Sequence, residues 1–174
     1  YLKSKNYDSY IFATGSSPAH PNFPITNSKF IPAEDVLNGS ENVKGGKIAI
    51  IGGGLVGCET ADFIAEKGND VTIFEMMENI CIDAGTANKV YLTDKLIRLN
   101  MKIITGSYVT KINDYAIYYK TKEAEKIASG FQYIINAMGY VSNDYLINDF
   151  DFIDVDCFKI GDGKEVSNIL VCIH

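Results

Sequence analysis

Residues 47 to 75 constrain the fold more than any other part of this 174-residue chain. They open with the apolar run Lys47-Ile48-Ala49-Ile50-Ile51 and pass through Gly52-Gly53-Gly54-Leu55-Val56-Gly57. A stretch with apolar residues at Val56, Ala61, Phe63 and Ile64 follows, and the segment closes on Val71-Thr72-Ile73-Phe74-Glu75. Short apolar runs bounded by glycine read as buried strands, and the stretch between them reads as a helix, so the pattern specifies a βαβ unit with a parallel sheet. The glycine run fits G-x-G-x-x-G, with Gly53, Leu55 and Val56 at its variable positions. Each glycine then has a distinct task in a dinucleotide site. Gly52 makes the tight turn out of the strand, Gly54 lacks the Cβ that would hold a pyrophosphate off the backbone, and Gly57 lets the helix lie close to the sheet. The pyrophosphate would rest on the N–H groups and positive dipole end of the helix starting near Gly54.

Glu75 comes 75 − 52 = 23 residues after the first glycine, near the roughly 20 at which such folds place an acid on the adenosine ribose. A carboxylate there accepts hydrogen bonds from the ribose hydroxyls, whereas a 2′-phosphate would meet like charge. Met76, Met77 and Glu78 follow, and Arg98, the chain's only arginine, lies far along the next helical stretch. NAD(H) is therefore expected rather than NADP(H).

The composition, 47% hydrophobic and 22% charged, is that of a globular protein. A net charge of −6 and a pI near 4.9, without a lysine-rich face, argue against nucleic acid or an anionic membrane as partner. With no run of 18 apolar residues and no signal-peptide or lipidation pattern, the expected location is the cytoplasm. Cys58, Cys81, Cys157 and Cys172 form neither C-x-x-C pairs nor a zinc pattern, so they are expected as reduced thiols, and no metal site is expected. The chain begins at Tyr1 rather than Met and ends just after an apolar stretch, which reads as a piece of something larger.

Along the chain, Asp8 to Thr14 is expected as a strand, Gly15-Ser16-Ser17-Pro18 as a turn, and Glu34 to Leu37 as one helical turn. A helix is expected from about Thr86 to Leu99, with Val90, Leu92, Leu96, Ile97 and Leu99 at roughly helical spacing, followed by a strand Lys102 to Thr105. Strands around Tyr108 to Ile112, Ala116 to Tyr119 and Glu125 to Ala128 read as an antiparallel meander over the sheet. Strand Tyr133 to Ala137 returns to the parallel sheet opposite the glycine turn, and a last strand covers Phe158 to Ile160. The fold class is thus α/β, a Rossmann-like three-layer fold with helices on one side of a parallel sheet and the meander on the other.

Four motifs in order, Ala13-Thr14-Gly15, Gly52 to Ala61, Ala137-Met138-Gly139 and Ile160-Gly161-Asp162, resemble two-dinucleotide flavoprotein reductases, in which the NAD(P) domain is inserted into the FAD domain. Pro32-Ala33-Glu34-Asp35-Val36-Leu37, Phe74-Glu75-Met76 and Asp83-Ala84-Gly85 narrow the resemblance to the C-terminal half of 2-enoate and 2,4-dienoyl-CoA reductases of the old yellow enzyme class. The resemblance implies residues 1–43 and 141–174 as two parts of an FAD domain around an NAD(H) domain at 44–140. It implies FAD in the full-length protein, and FMN with an iron–sulfur cluster in an N-terminal barrel upstream; the partners would be the FAD and FMN domains of the same parent chain. Thr14 and Gly15 would close over the flavin side, and Gly161 and Asp162 would meet the ribityl or pyrophosphate end of FAD. Glu59 would lie near the nicotinamide ring. Ala137, Met138 and Gly139 would pass close to the cofactor, with Met76 beside Glu75.

Two departures stand out. Tyr140-Val141-Ser142-Asn143 replaces the arginine and proline common in the family after the Ala-Met-Gly turn. The family's first glycine fingerprint, which holds the FAD pyrophosphate, is absent from these residues. The expected role is therefore to bind NADH and pass hydride to FAD and onward to FMN for reduction of an enoate or enoyl-CoA C=C bond, with no catalytic side chain in this piece and no activity in isolation. A pyridine-nucleotide disulfide reductase, another FAD-linked NADH oxidase and a nucleotide-sensing Rossmann module are the alternatives.

Overall fold

The computed structural model describes residues 7–114, 116–148, 150 and 155–167. Its strands are β1 (Ser9–Phe12), β2 (Ser16–Pro18), β3 (Phe30–Pro32), β4 (Lys47–Ile51), β5 (Asp70–Phe74), β6 (Lys102–Ile104), β7 (Tyr108–Ile112), β8 (Ala116–Lys120), β9 (Glu125–Ser129), β10 (Tyr133–Asn136), β11 (Tyr140–Ser142) and β12 (Asp156–Lys159). Its helices are α1 (Ala33–Leu37), α2 (Leu55–Ala65), α3 (Thr86–Arg98) and α4 (Tyr145–Asn148). The described residues divide into two units, His20–Gly139 and a smaller one made of the residues up to Ala19 and from Tyr140 onward.

A five-stranded parallel sheet of order β3-β10-β4-β5-β6 organises the larger unit. Side chains alternate across a strand, so the unbroken apolar run of β4 must be covered on both faces. Ile48 and Ile50 join Cys58, Ala61 and Ile64 of α2 and Leu92 and Leu96 of α3 in one core. Ala49 and Ile51 face the other way, into a second core with Val109, Ile112, Ile117 and Tyr119 of the antiparallel sheet β7-β8-β9. Phe74 belongs to that second core, its ring 5.2 Å from Tyr119 and edge-on to it. The three-layer α/β fold expected from the sequence is the fold observed.

Three details differ from expectation. Phe30-Ile31-Pro32 forms edge strand β3 against β10, from Ile134↔Phe30 to Asn136↔Pro32, an edge being where a proline without an N–H is tolerated. Residues 20–43 consequently pack in the larger unit, and the division falls at 19/20 and 139/140 rather than at 43/44 and 140/141. In α3 only Leu92 and Leu96 are buried, while Val90 and Ile97 are 58% and 62% exposed and Leu99 is also exposed. With 3.6 residues per turn, Val90 and Ile97 lie roughly 140–160° round the helix from Leu92. The helix therefore buries one narrow stripe and leaves these apolar side chains in solvent. Finally, Ser16–Pro18, expected as a turn, is strand β2, paired antiparallel with β11 from Tyr140↔Pro18 to Ser142↔Ser16; the turn itself is at Gly15, φ +67°.

In the smaller unit β1 and β12 run side by side and parallel, from Ser9↔Asp156 to Phe12↔Lys159. Two short strands from opposite ends of a chain pair in this way when an intervening domain is inserted between them. Tyr10 and Phe12 pack on Phe150 with ring centroids 5.0 and 5.1 Å apart, the core of this unit. Cys172 lies outside the described residues. Among those described, no helix is long and apolar enough to cross a membrane.

Candidate functional site

The glycine turn connects β4 to α2. Gly52 has φ +105°, a region open to glycine and costly for other residues. Its N–H donates to Phe74 O at 2.8 Å, which ties the turn to the next strand. A Cβ on Gly52 would come within 2.2 Å of Ala137 O, and one on Gly57 within 2.0 Å of Gly52 O. The first contact lets the end of β10 cross the turn, with Ala137 N–H donating to Ile51 O at 2.8 Å. The second seats α2 directly on the strand end. Gly52, Gly57 and Ala137 therefore act through backbone proximity, as the motif requires. Gly53 is equally confined, since a Cβ there would lie 2.9 Å from Ile80 and 3.0 Å from Glu75.

Glu75 is buried at the end of β5, only 8% exposed. Its Oε2 accepts from Gly53 N–H at 2.5 Å and its Oε1 from Met77 N–H at 2.6 Å, charge-assisted bonds that compensate the burial of the carboxylate. The side chain thus braces the glycine turn and holds a negative charge beside it. Met76 is exposed. Glu78 pairs with Lys122, from the turn between β8 and β9, and the Glu78 carboxylate holds the Lys122 ammonium above its ordinary range. No arginine is expected near this strand end, but the meander brings a lysine there, because a residue 44 positions distant folds back over the sheet.

Asp83 is the unexpected neighbour of the turn. Its Oδ1 accepts from Leu55 N–H, the first residue of α2, at 2.7 Å, and a Cβ on Gly54 would come within 3.0 Å of its Oδ2. Gly54 caps the helix without a side-chain bond of its own. The space over Gly54 that the motif keeps clear for a phosphate holds a carboxylate instead. Val56 is half-buried against the helical core. Glu59 is exposed on α2, Met138 packs on the meander core, and Gly139, φ +93°, has open space where a Cβ would point.

The remaining motif residues meet in the smaller unit. Thr14 Oγ1 donates to Asn143 O, Asn143 Nδ2 donates back to Thr14 O at 3.2 Å, and Asn143 N–H donates to Gly15 O at 2.9 Å. Ser16 Oγ donates to Asp162 Oδ2 at 3.0 Å. Gly161 and Asp162 form a single 3-10 turn ending at Gly163, where a Cβ would come within 2.8 Å of Thr14 Oγ1. Asn143, which stands just past the positions where the family carries arginine and proline, is the residue that fastens the Thr14-Gly15 turn. A lone asparagine carries no sequence signal that would have shown this.

Cys58 and Cys81 lie behind the glycine turn, both fully buried. They converge on Gly53 O, which accepts from Cys58 Sγ at 3.3 Å and from Cys81 N–H at 2.8 Å. Burial pushes the Cys58 thiol well above its ordinary range, with the neighbouring Cys81 adding to the rise, and it pushes Cys81 up as well, where the hydrogen bond with Cys58 offsets part of the effect. Such thiols stay protonated and are poor nucleophiles, unlike the reactive pair of a disulfide reductase. Among the described residues no group of three His, Cys, Asp or Glu could hold a metal ion.

A parallel sheet with a glycine turn at the N-terminus of its first crossover helix, an acid at the end of the next strand, and a second unit built from both chain ends define a dinucleotide-binding flavoprotein reductase domain. The chain belongs to the pyridine nucleotide-disulphide oxidoreductase family, whose model matches residues 2–163. It is 37% identical to cinnamate reductase of Clostridium sporogenes over 99% of its own length, and 34% identical to an NADH oxidase of Thermoanaerobacter brockii over 94%. It covers 26% of each of those relatives. The structure of 2-naphthoyl-CoA reductase in complex with 2-naphthoyl-CoA superposes with a TM-score of 0.80 at 28% identity, over 96% of this chain and 26% of that one. The chain therefore spans about a quarter of the length of these relatives. They agree with the resemblance to the NAD(P)/FAD region of enoate and dienoyl-CoA reductases, and the family is one of oxidoreductases that use NAD(P)H and FAD.

Proposed function

We propose that this chain is the NAD(H)-binding part of a flavin-dependent ene-reductase. The observation that carries the reading is the turn Gly52 to Gly57, where backbone packs within van der Waals limits that only glycine allows, with the Glu75 carboxylate against it. The residues present fit a dinucleotide. The Leu55 N–H at the start of α2 already holds an anionic oxygen of Asp83, which marks it as a place for a phosphate oxygen. Glu75 keeps lone pairs beyond the two it uses on backbone, and these suit ribose hydroxyls.

Bound NADH supplies a hydride, two electrons with one proton, and leaves as NAD⁺. The chain's own part is to position and orient: the helix end fixes the pyrophosphate, Glu75 the adenosine ribose, and the Ala137-Met138-Gly139 segment the far half of the cofactor near Glu59. In the parent protein the hydride equivalent would pass to FAD and then to FMN, with an iron–sulfur cluster in the same upstream region, to reduce an enoate or enoyl-CoA C=C bond. Thr14, Gly15, Gly161 and Asp162 would contribute to the flavin side, and the partners would be the FAD and FMN domains of the same polypeptide.

Calorimetric titration with NADH and NADPH tests the cofactor reading. Tighter binding of NADH supports it, whereas equal affinity or a preference for NADPH removes Glu75 from the ribose. Expression with the residues encoded before Tyr1, followed by assay of NADH oxidation with cinnamate, tests the ene-reductase assignment.

A further inference from the structure

Asp83 belongs to the segment between β5 and α3, and the way that segment is anchored is unusual. Ile80 and Cys81 are buried beneath the glycine turn. Cys81 is held with φ +53°, a left-handed conformation uncommon outside glycine, asparagine and aspartate, and its N–H donates to Gly53 O at 2.8 Å. Past Cys81 the chain is surface: Ile82 and Asp83 are exposed, and Gly85 has open space around it. The geometry fixes the root of the segment and leaves its tip in solvent. From that root the Asp83 carboxylate reaches over Gly54 and takes the Leu55 N–H, at 2.7 Å.

We propose that Asp83 is an internal anion that occupies the pyrophosphate position of the glycine turn and must be displaced when the dinucleotide binds. The inference rests on the NAD(H) reading of that turn. Asp83 and a phosphate compete for one donor and one space: the oxygen that accepts from Leu55 N–H and the second oxygen over Gly54 stand where a phosphate approaches the backbone, and a retained carboxylate would repel it. Glu75 and Glu59 add to the negative charge around the turn, so an undisplaced Asp83 would make the site still less hospitable to a diphosphate. The bond that Asp83 makes is solvent-accessible; Ala84 packs against the helical core and holds the segment's backbone, while the Asp83 side chain and Gly85 are themselves exposed, so the carboxylate can swing away without unpacking the core. In the free protein Asp83 satisfies a helix-end donor that would otherwise meet only water; in the bound protein the diphosphate takes that donor over. The residue thus trades stability of the free domain against cofactor affinity.

Calorimetric titration of NADH into the full chain and into its D83A and D83N variants, with the melting temperature of each ligand-free protein, tests this. D83A should bind NADH roughly tenfold more tightly than the unmodified chain, the scale expected for releasing a charge-assisted contact at a helix N-terminus. D83N should gain a smaller factor, because its amide oxygen still accepts from Leu55 N–H without the charge. Both should melt at lower temperature without ligand, since α2 loses or weakens its cap. The opposite signs are the signature: a residue with only a structural role would lower stability and affinity together. If the unmodified chain binds NADH and both variants bind it equally or more weakly, the displacement is refuted and the cofactor site stands. If none of the three binds NADH while all are folded by circular dichroism, the cofactor reading fails as well. Should D83A not fold, the near-isosteric D83N decides by the same criteria.

Discussion

Gly57→Ala is the sharpest test of how the glycine turn is built, because one methyl group is set against backbone. The added Cβ would lie 2.0 Å from Gly52 O and 3.0 Å from Gly52 C, with Ala137 Cβ at 3.4 Å. To restore 3.4 Å from the oxygen, α2 would have to withdraw by 3.4 − 2.0 = 1.4 Å. No side chain can rotate out of the way. The withdrawal would loosen the packing of Cys58, Ala61 and Ile64, all fully buried against β4 and β5. Overpacking of a well-filled core costs typically 1–3 kcal/mol, and a backbone clash belongs at the upper end, about 3 kcal/mol. Replacing glycine with alanine inside a helix returns about 1 kcal/mol of propensity, which leaves a net loss of about 2 kcal/mol. Gly85→Ala is the matched control: its Cβ meets nothing within 4 Å and its φ of −59° suits alanine, so the unfolded-state gain of up to about 1 kcal/mol is offset by alanine's poorer capping of α3 and the change should be within about 1 kcal/mol of neutral. Urea denaturation at 25 °C, followed by circular dichroism, measures both. A G57A variant as stable as the unmodified chain would refute the argument that helix and strand are in backbone contact at this point.

Three further outcomes follow from the same geometry. Glu75→Gln removes one acceptor from a buried site where both carboxylate oxygens hold backbone N–H groups; denaturation should show a loss of about 1–3 kcal/mol, and an unchanged midpoint would mean the carboxylate does not brace the turn. Burial raises the Cys58 and Cys81 thiols in the folded state, so their contribution is fully present below the unfolded thiol value of 9.0 and is lost as pH rises above it, where only the unfolded chain ionises; stability should fall progressively as pH rises past 9.0 toward the raised folded-state values, and C58A should flatten the fall. Glu78→Gln frees Lys122 from its ion pair, so the NADPH:NADH affinity ratio from calorimetry should rise, whereas an unchanged ratio would place Lys122 away from the ribose.

The sequence alone determined the parallel core and its three layers, because an apolar run with no polar alternation must be covered on both faces, and the only chain segments able to cover it are the crossover helices and the meander. It also determined the tasks of Gly52 and Gly57, since motif spacing dictates these locally, while the side-by-side pairing of β1 with β12 fits the inserted-domain layout that the family resemblance implies. What tertiary structure decided depends on distance. The edge strand Phe30–Pro32 has no pattern of its own and exists because β10 offers it a partner. Val90 and Ile97 are apolar, yet the crossover geometry turns them to solvent. Asp83 reaches Leu55 across 28 residues, Lys122 reaches Glu78 across 44, and Asn143 reaches Thr14 across 129. Hydrogen bonds and ion pairs between remote residues leave no period in a sequence, because any polar side chain can make them and only the folded backbone brings donor and acceptor within reach.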